Sequence, residues 1–441
     1  MTFLRRKKLF LIIIGIVFLC FALALLYTIF SDNDNYKYFT GLGSTISIAP
    51  DDSQIAFSYY IDGEESIYTA SPNGTDVRQI TDDSNTRDHN PSYSSDGSKI
   101  VYMSENNNGI QTLQVINQDG SDKKQLTNRD MHVRDAIFSN DGETIFFIGI
   151  EAEEYNKGEQ SREGFDLYST QIDEGTISKL TDADHFSMDD LSLSPDGQTI
   201  YYSEFDGKGD RIYSYSLEKE NITKQAPIIP KEIVEEQSFH SPQLSPDGEH
   251  LAFTDVANEA EGNSLFEYEL FLLDLTAYDV EKLTSLENSI ESPVFFHSED
   301  KIAFLEYTNW AQDPAEYQLM TIDLTSHNIK KMELDLPAST NEKLLMRLID
   351  QSINSFTLAI LYMLLVGLLS VFCHYYYYPR KTYLPSIVSF SIAVLTFIAS
   401  ILVAMMMNAW YGIALGMLAA GIFGCSVVVV LFVFIFKRLV R

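Results

Sequence analysis

Cysteine is nearly absent from this chain: Cys20, Cys373 and Cys425 are the only three, and none falls between residues 31 and 350. That long middle segment therefore builds no disulfides and must be held by packing and strand pairing. Acids are missing altogether from residues 1–30 and from residues 351–441. The middle segment consequently carries all 62 acids and 22 of the 31 bases, a net charge of −40. A charge of that size keeps a domain soluble and repels phosphate backbones, so nucleic acid is not an expected partner. Catalytic signatures are lacking too. There is no G-x-S-x-G elbow and no hydrolase domain downstream of the middle segment. Gly41-Leu42-Gly43 lacks the rest of a phosphate-binding loop and precedes a strand pattern. No short His/Asp spacing singles out a ligand set, so neither metal nor cofactor is expected. The sequons Asn73-Gly74-Thr75 and Asn221-Ile222-Thr223 are read as chance matches.

What the two ends do hold is hydrophobic length. Leu9–Phe30 is an uninterrupted apolar run of 22 residues. As a helix it would be ~33 Å long, enough to cross a hydrocarbon core of ~30 Å. A cleaved signal peptide usually has an apolar stretch of only ~7–15 residues, so a retained anchor is expected. Three further spans are expected at 353–372, 386–407 and 413–436, and none contains Asp, Glu, Lys or Arg. The basic clusters are Arg5, Arg6, Lys7 and Lys8 at the start, Arg380 and Lys381 between spans two and three, and Lys437, Arg438 and Arg441 at the end. With both termini cytoplasmic, every cluster falls inside, as the positive-inside rule requires. The expected location is the cell membrane, multi-pass, with the middle segment outside and the lipid bilayer as a partner. Trp410 and Tyr411 are expected in a short outer loop. Spans without ionisable groups argue against a transporter or channel. The last span instead carries Gly412, Gly416, Ala420 and Gly424 at four-residue intervals, a small-residue stripe expected to pack helices together.

The middle segment repeats itself every 45–55 residues. One clear copy reads Asn90-Pro-Ser-Tyr-Ser-Ser-Asp-Gly-Ser-Lys-Ile-Val-Tyr102, then Gln111–Asn117, then a second Asp-Gly turn and Lys123-Lys-Gln-Leu-Thr127. Short β-rich runs divided by Asp, Gly and Asn spell four antiparallel strands. The first turn recurs at Asp51, Asp96, Asp141, Asp196 and Asp247, and a degraded sixth copy follows at Phe295–Phe304. The fourth strand recurs as Gln79-Ile-Thr81, Gln125-Leu-Thr127, Lys179-Leu-Thr181 and Lys282-Leu-Thr284, with a poor copy at Ile222–Gln225. Four strands per repeat at this length form the blade of a propeller, which closes a ring and leaves no long open edge. The expected fold is an all-β six-bladed β-propeller over 44–336, joined to one N-terminal and three C-terminal transmembrane helices. Residues 1–8 form a basic tail, 31–43 a linker, and 337–352 a juxtamembrane helix marked by Leu344, Leu345, Leu348 and Ile349.

The S-P-D-G turn followed by K-I-x-Y, a strand, a D-G turn and K-Q-L-T resembles the WD-like repeat of TolB-type β-propellers, over about two thirds of the chain. The resemblance implies the fold. Propellers of this kind include protein-binding subunits, lid domains of peptidases and some polysaccharide lyases, so it does not single out one activity.

Strand parity puts the length variation on one face, as insertions at Glu151–Gly164, Ala257–Leu265 and Tyr307–Glu316. Irregular loops on one face of a rigid ring are where binding usually resides. Six and seven residues before each turn aspartate stand His89 and Asn90, Arg134 and Asp135, Asp189 and Asp190, and His240 and Ser241, with Glu291 and Ser292 in the sixth copy. Together with Arg87, Asp88 and His132 they are expected to ring the channel mouth, able to meet a peptide, a sugar acid or a metal. Because both ends of the propeller continue into spans, the variable face is expected to lean toward the membrane or a membrane partner. The leading expectation is a scaffold or accessory subunit that binds a protein or an envelope polymer. A ligand sensor and a lyase-like carbohydrate enzyme are the alternatives.

Overall fold

Residues 41–331 form six four-stranded sheets in the computed structural model, each made of consecutive antiparallel strands. The structure describes residues 3–31, 34–83, 85–223, 229–256, 267–286, 288–340 and 343–440. The insertion at Ala257–Leu265 and much of the Ile222–Gln225 copy lie outside the described residues. Two compact units result: one of residues 35–341, the other of residues 1–34 together with 342–441.

The innermost strands of the blades are Gly41–Ile48, Arg87–Tyr93, Met131–Phe138, Asp189–Leu193, His240–Leu244 and Ser289–Phe295. Apolar residues of neighbouring blades interlock pairwise around the ring. Phe57 with Leu305, Ile67 with Tyr102, Val101 with Phe147, Ile148 with Tyr202, Ile212 with Phe253, and Leu270 with Phe304 each share a cluster. Burying one such side chain is worth about 1.5–3 kcal/mol, so the blades are glued by their flat faces.

Both repeat motifs have local hydrogen-bond explanations. In the first turn of blade two, Ser94 Oγ donates to Asp96 Oδ1 at 2.7 Å and Ser98 N donates to the same oxygen at 3.0 Å. Lys99 N then donates to Ser94 Oγ at 2.9 Å. Ser139/Asp141, Ser194/Asp196 and Ser245/Asp247 repeat the clasp. Gly97, Gly142, Gly197 and Gly248 follow at φ of 70–75°, where an L side chain is strained. The closing Thr has a different task. Fourth strands are as short as two residues, Arg78–Gln79 and Lys124–Gln125, which leaves third-strand N–H groups beyond them. Thr81, Thr127, Thr181 and Thr284 accept those N–H groups of Ile67, Leu113, Leu167 and Leu270 through Oγ1, at 2.9–3.0 Å.

Blade six lacks the Asp-Gly pair, and blade one supplies the missing carboxylate. Asp52 takes the turn position that glycine fills elsewhere, at φ 56°, and accepts His297 N at 2.8 Å and Ser298 N at 2.6 Å. The segment after blade six completes the closure. Met332, Leu334 and Leu336 pack on the blade-one core, and Asp335 N donates to Gly74 O at 3.0 Å. Thr340 N reaches the Asp62 carboxylate at 2.9 Å, while Asp62 N donates to Thr40 Oγ1 at 3.0 Å. The incoming and outgoing segments thus meet at the Asp62-Gly63 turn.

The second unit contains four long apolar helices: α1 (Phe3–Phe30), α5 (Ser355–Tyr376), α6 (Leu384–Met406) and α7 (Ala409–Leu439). The shorter helices are α2 (Ala152–Lys157) and α3 (Lys231–Glu236) in the propeller, and α4 (Leu344–Ser352) ahead of α5. Trp410 and Tyr411 belong to the first turn of α7, not to a loop, because Asn408 caps that helix by accepting Trp410 N at 2.8 Å. Buried hydroxyls link three helices. Tyr362 of α5 and Ser389 of α6 share a bond of 2.6 Å, as do Ser389 and Ser426 of α7.

Within the chain, only the first half of the small-residue stripe meets another helix. Gly412 is buried so closely that an added Cβ would stand 2.3 Å from Ala404 Cβ, and Gly416 faces Ser400. Ala420 and Gly424 are exposed, and Gly424 has nothing within 4 Å of an added Cβ. The buried side of α7 runs Gly412, Ala419, Ser426, Val433. At about 100° per residue, a four-residue step rotates ~40° off the seam, whereas a seven-residue step stays within ~20°.

Candidate functional site

The six innermost strands converge on a central cavity of about 550 Å³. Its wall includes Ser44–Ser47, His89–Ser92, Arg134–Ile137, Asp189–Leu191, Ser241 with Gln243, and Glu291–Val294, joined by Gln111, His132 and Tyr155. Each innermost strand breaks register with its neighbour at this level. Such bulges set successive side chains on one side, which is how neighbours like Asp189 and Asp190 come to line one wall. Asn90, Asp190, Ser241 and Ser292 adopt φ between 45° and 54° there. Non-glycine residues in this region cost of order 1–3 kcal/mol each, so the surrounding ring must impose the conformation.

Asp135 staples three blades. It accepts Asn90 Nδ2 at 2.9 Å and Ala136 N at 2.8 Å through Oδ1, and Leu191 N at 2.7 Å through Oδ2. Burial, with the like charge of Asp189 beside it, pushes its carboxyl up to about 7 against those three donors. Burial also raises Asp189, partly opposed by the Arg134 guanidinium. Asp190 rises well above the usual range, through burial and then the charge of Asp189, although Ser203 Oγ donates to it at 2.6 Å. Glu291, raised by burial, accepts the Tyr317 hydroxyl at 2.8 Å. Burial therefore makes each of these carboxyls harder to ionise than a free carboxylate.

Arg134 is the cation among them. Its Nη1 donates to Met188 O at 3.2 Å and its Cζ lies 4.1 Å from the centre of the Phe165 ring. His132 stacks on Tyr155 of α2 with ring centres 3.6 Å apart, and its Nδ1 accepts Gln111 N at 3.3 Å. Burial, then Arg134, lowers His132 to about 4, so it is a neutral aromatic tether. His89 also lines the cavity, with Nε2 buried and unbonded. It favours ionisation of Glu65, whose carboxyl burial otherwise raises.

Of the residues named from sequence, His89, Arg134, Asp135, Asp189, Asp190 and Glu291 stand in the cavity wall. Arg87, Asp88 and His240 stand outside it. Asp88 is buried in the sheet, accepting Ser104 Oγ at 2.6 Å and Thr86 Oγ1 at 3.2 Å. Arg87 pairs opposite Glu105 at the strand end. His240 is drawn to Asp210, with Ser238 Oγ 3.2 Å from its Nε2 and Tyr268 edge-on. The same counting rule, applied to blade one, yields Ser44 and Thr45. Nothing in the pattern points to Tyr155 or Gln111, which reach the cavity wall from an insertion and from a third strand, or to Phe165, which precedes a third strand and backs Arg134. Among the described residues, no group of three or more His, Cys, Asp or Glu is arranged to hold a metal ion.

Comparison with known proteins bears on the ring. The TolB beta propeller domain family matches residues 26–224. No curated protein matches the chain. TolB from Acinetobacter baumannii superposes with a TM-score of 0.50 at 15% identity, covering 66% of this chain and 66% of that one. A protein from Agrobacterium tumefaciens described as a TolB gives a TM-score of 0.42 at 19% identity, covering 55% of this chain and 80% of its own. At these identities the likeness concerns fold alone. Over residues 26–224 the chain is similar to the TolB beta propeller domain family, and its described residues form a six-bladed β-propeller carried with one N-terminal and three C-terminal apolar helices.

Proposed function

We propose that this protein is a membrane-anchored scaffold whose propeller binds a protein or an envelope polymer at the mouth of its central cavity. One observation carries the reading: all six blades direct polar side chains into a single open cavity of about 550 Å³. Several of those side chains sit on backbone that the ring holds in left-handed conformations, and preorganised polar groups on a rigid frame are what selective binding needs. The aromatic wall of Tyr155 and His132 beside Arg134 adds a flat, partly apolar surface for an extended segment. Four apolar helices anchor the chain, and the placement of Arg5–Lys8, Arg380, Lys381, Lys437 and Arg438 favours cytoplasmic termini with the propeller outside.

The test is photo-crosslinking from the full chain in its native membrane. A crosslinker placed at Tyr155 or Gln243 should capture one defined partner, and Arg134→Ala should abolish that adduct. A crosslinker at Ser95, on the opposite face, should not. Capture from Ser95 with none from Tyr155 or Gln243 would refute the proposed face.

A further inference from the structure

Helix α4 is short, amphipathic and has no buried residue. Leu344, Leu345 and Leu348 are 51%, 69% and 51% exposed. At about 100° per residue these three fall within one ~100° arc, while Arg347 and Asp350 lie outside it. That polar side already has a neighbour, because the Asp350 carboxylate accepts the Tyr27 hydroxyl of α1. The bond fixes the roll of α4 and turns its leucines away from α1. Only Ile353 and Asn354 separate α4 from α5, where Asn354 accepts Thr357 N at 3.0 Å to start the new helix. Beyond that joint Phe356, Ile360 and Leu364 are exposed on α5.

We propose that α4 is an interfacial helix whose Leu344, Leu345 and Leu348 face is seated in the leaflet at the N-terminal end of α5. The inference rests on reading the four apolar helices as membrane spans. The occupant is lipid because the leucine face stands only two residues along the chain from a span whose own partner is lipid, and a water-exposed leucine face one joint from a bilayer is unstable against insertion. The charged side, held by Tyr27, keeps the helix from sinking further. Asp350 and Tyr27 then mark the depth at which α1 and α5 leave the membrane.

Site-directed spin labelling tests this on the full chain in phosphatidylethanolamine–phosphatidylglycerol vesicles, with Cys20, Cys373 and Cys425 replaced by alanine. Single labels go on Leu345→Cys, Leu348→Cys and Arg347→Cys, with Leu364→Cys as the span control. The oxygen-to-nickel accessibility ratio should be several-fold higher at 345 and 348 than at 347. Equal nickel access at all three, with 364 oxygen-accessible, overturns the interfacial helix and leaves the spans standing. Low access to both reagents at 345 and 348 also overturns it, since protein would then cover the face. Nickel access at 364 refutes the spans themselves, and the inference with them.

Discussion

Asp52 of the first blade caps Ser298 of the sixth, its carboxylate accepting the Ser298 N–H at 2.6 Å. The His297 N–H is a second donor at 2.8 Å, so one side chain stands in for the turn motif that blade six has lost. The ring is closed by an exchange between repeats. Blade one gives up glycine at this turn, and blade six takes the carboxylate.

Asp52→Gly should therefore improve the local turn and weaken the ring. Two charge-assisted hydrogen bonds are lost, each worth about 1.5–3 kcal/mol, against at most ~1 kcal/mol regained from relaxed backbone. A lower unfolding temperature with faster hydrogen exchange at His297 and Ser298 is expected. Unchanged exchange at those two amides would show that closure does not depend on Asp52.

Thr127→Val keeps the shape of a buried side chain but leaves the Leu113 N–H unpaired. A cost of about 1–3 kcal/mol is expected in chemical unfolding. Thr284→Val should cost more, because Thr284 Oγ1 also donates to the buried Glu269 carboxylate. Thr127→Ser, which retains the acceptor, should recover most of the loss. A serine variant as unstable as the valine one would disprove the capping role.

Asp135 makes a pH prediction with a definite sign. Its carboxyl is raised to about 7 in the folded protein from an ordinary value of 3.8. Between those two values the folded state holds a proton that the unfolded state has released, so this group's contribution is lost as pH rises toward 7. The difference in unfolding temperature between the wild type and Asp135→Asn should shrink as pH goes from 5 to 8. The turn aspartates act oppositely: the Ser94 hydroxyl and the Ser98 N–H and hydroxyl lower Asp96 to about 2, so its contribution is lost only in strong acid. A difference that instead grew with pH would mean that Asp135 is stabilised as the anion.

Gly412→Ala and Gly424→Ala separate the two halves of the small-residue stripe. At Gly412 the new methyl meets Ala404 at 2.3 Å and the Ser400 carbonyl oxygen at 2.8 Å, so α6 and α7 must move apart, at about 1–3 kcal/mol or more. At Gly424 the methyl meets nothing, and the helix gains up to ~1 kcal/mol of propensity. Thermal stability in detergent should fall for the first and hold or rise for the second. Equal losses would place Gly424 in a helix contact as well.

Much was legible without coordinates because it is local. A two-residue alternation, an Asp-Gly turn and a 22-residue apolar run each act through neighbours within a few positions. Strand number per blade, blade count and the four long apolar helices follow from such terms. Counting back from the turn aspartates led to His89, Arg134, Asp135, Asp189 and Asp190 in the cavity wall, and the degraded sixth copy to Glu291, since a fixed strand length carries every blade to the same height. The same count placed His240 in the ring, but its attraction to Asp210 lies in another strand and left no trace in the spacing.

Tertiary structure decided what depends on distance along the chain. That Asp52 serves Ser298, 246 residues away, requires the circle to close. That Tyr155 walls the cavity requires α2 to fold over His132. That Gly412 packs while Gly424 does not requires the true pitch of α7 against α6. Sequence alone determined the acid-rich, disulfide-free propeller and its apolar helices, because periodicity, turn chemistry and run length are encoded residue by residue. Which side chains meet in the cavity, at the ring closure and along the helix seam was settled only by the fold, because those meetings arise when remote segments compete for the same space.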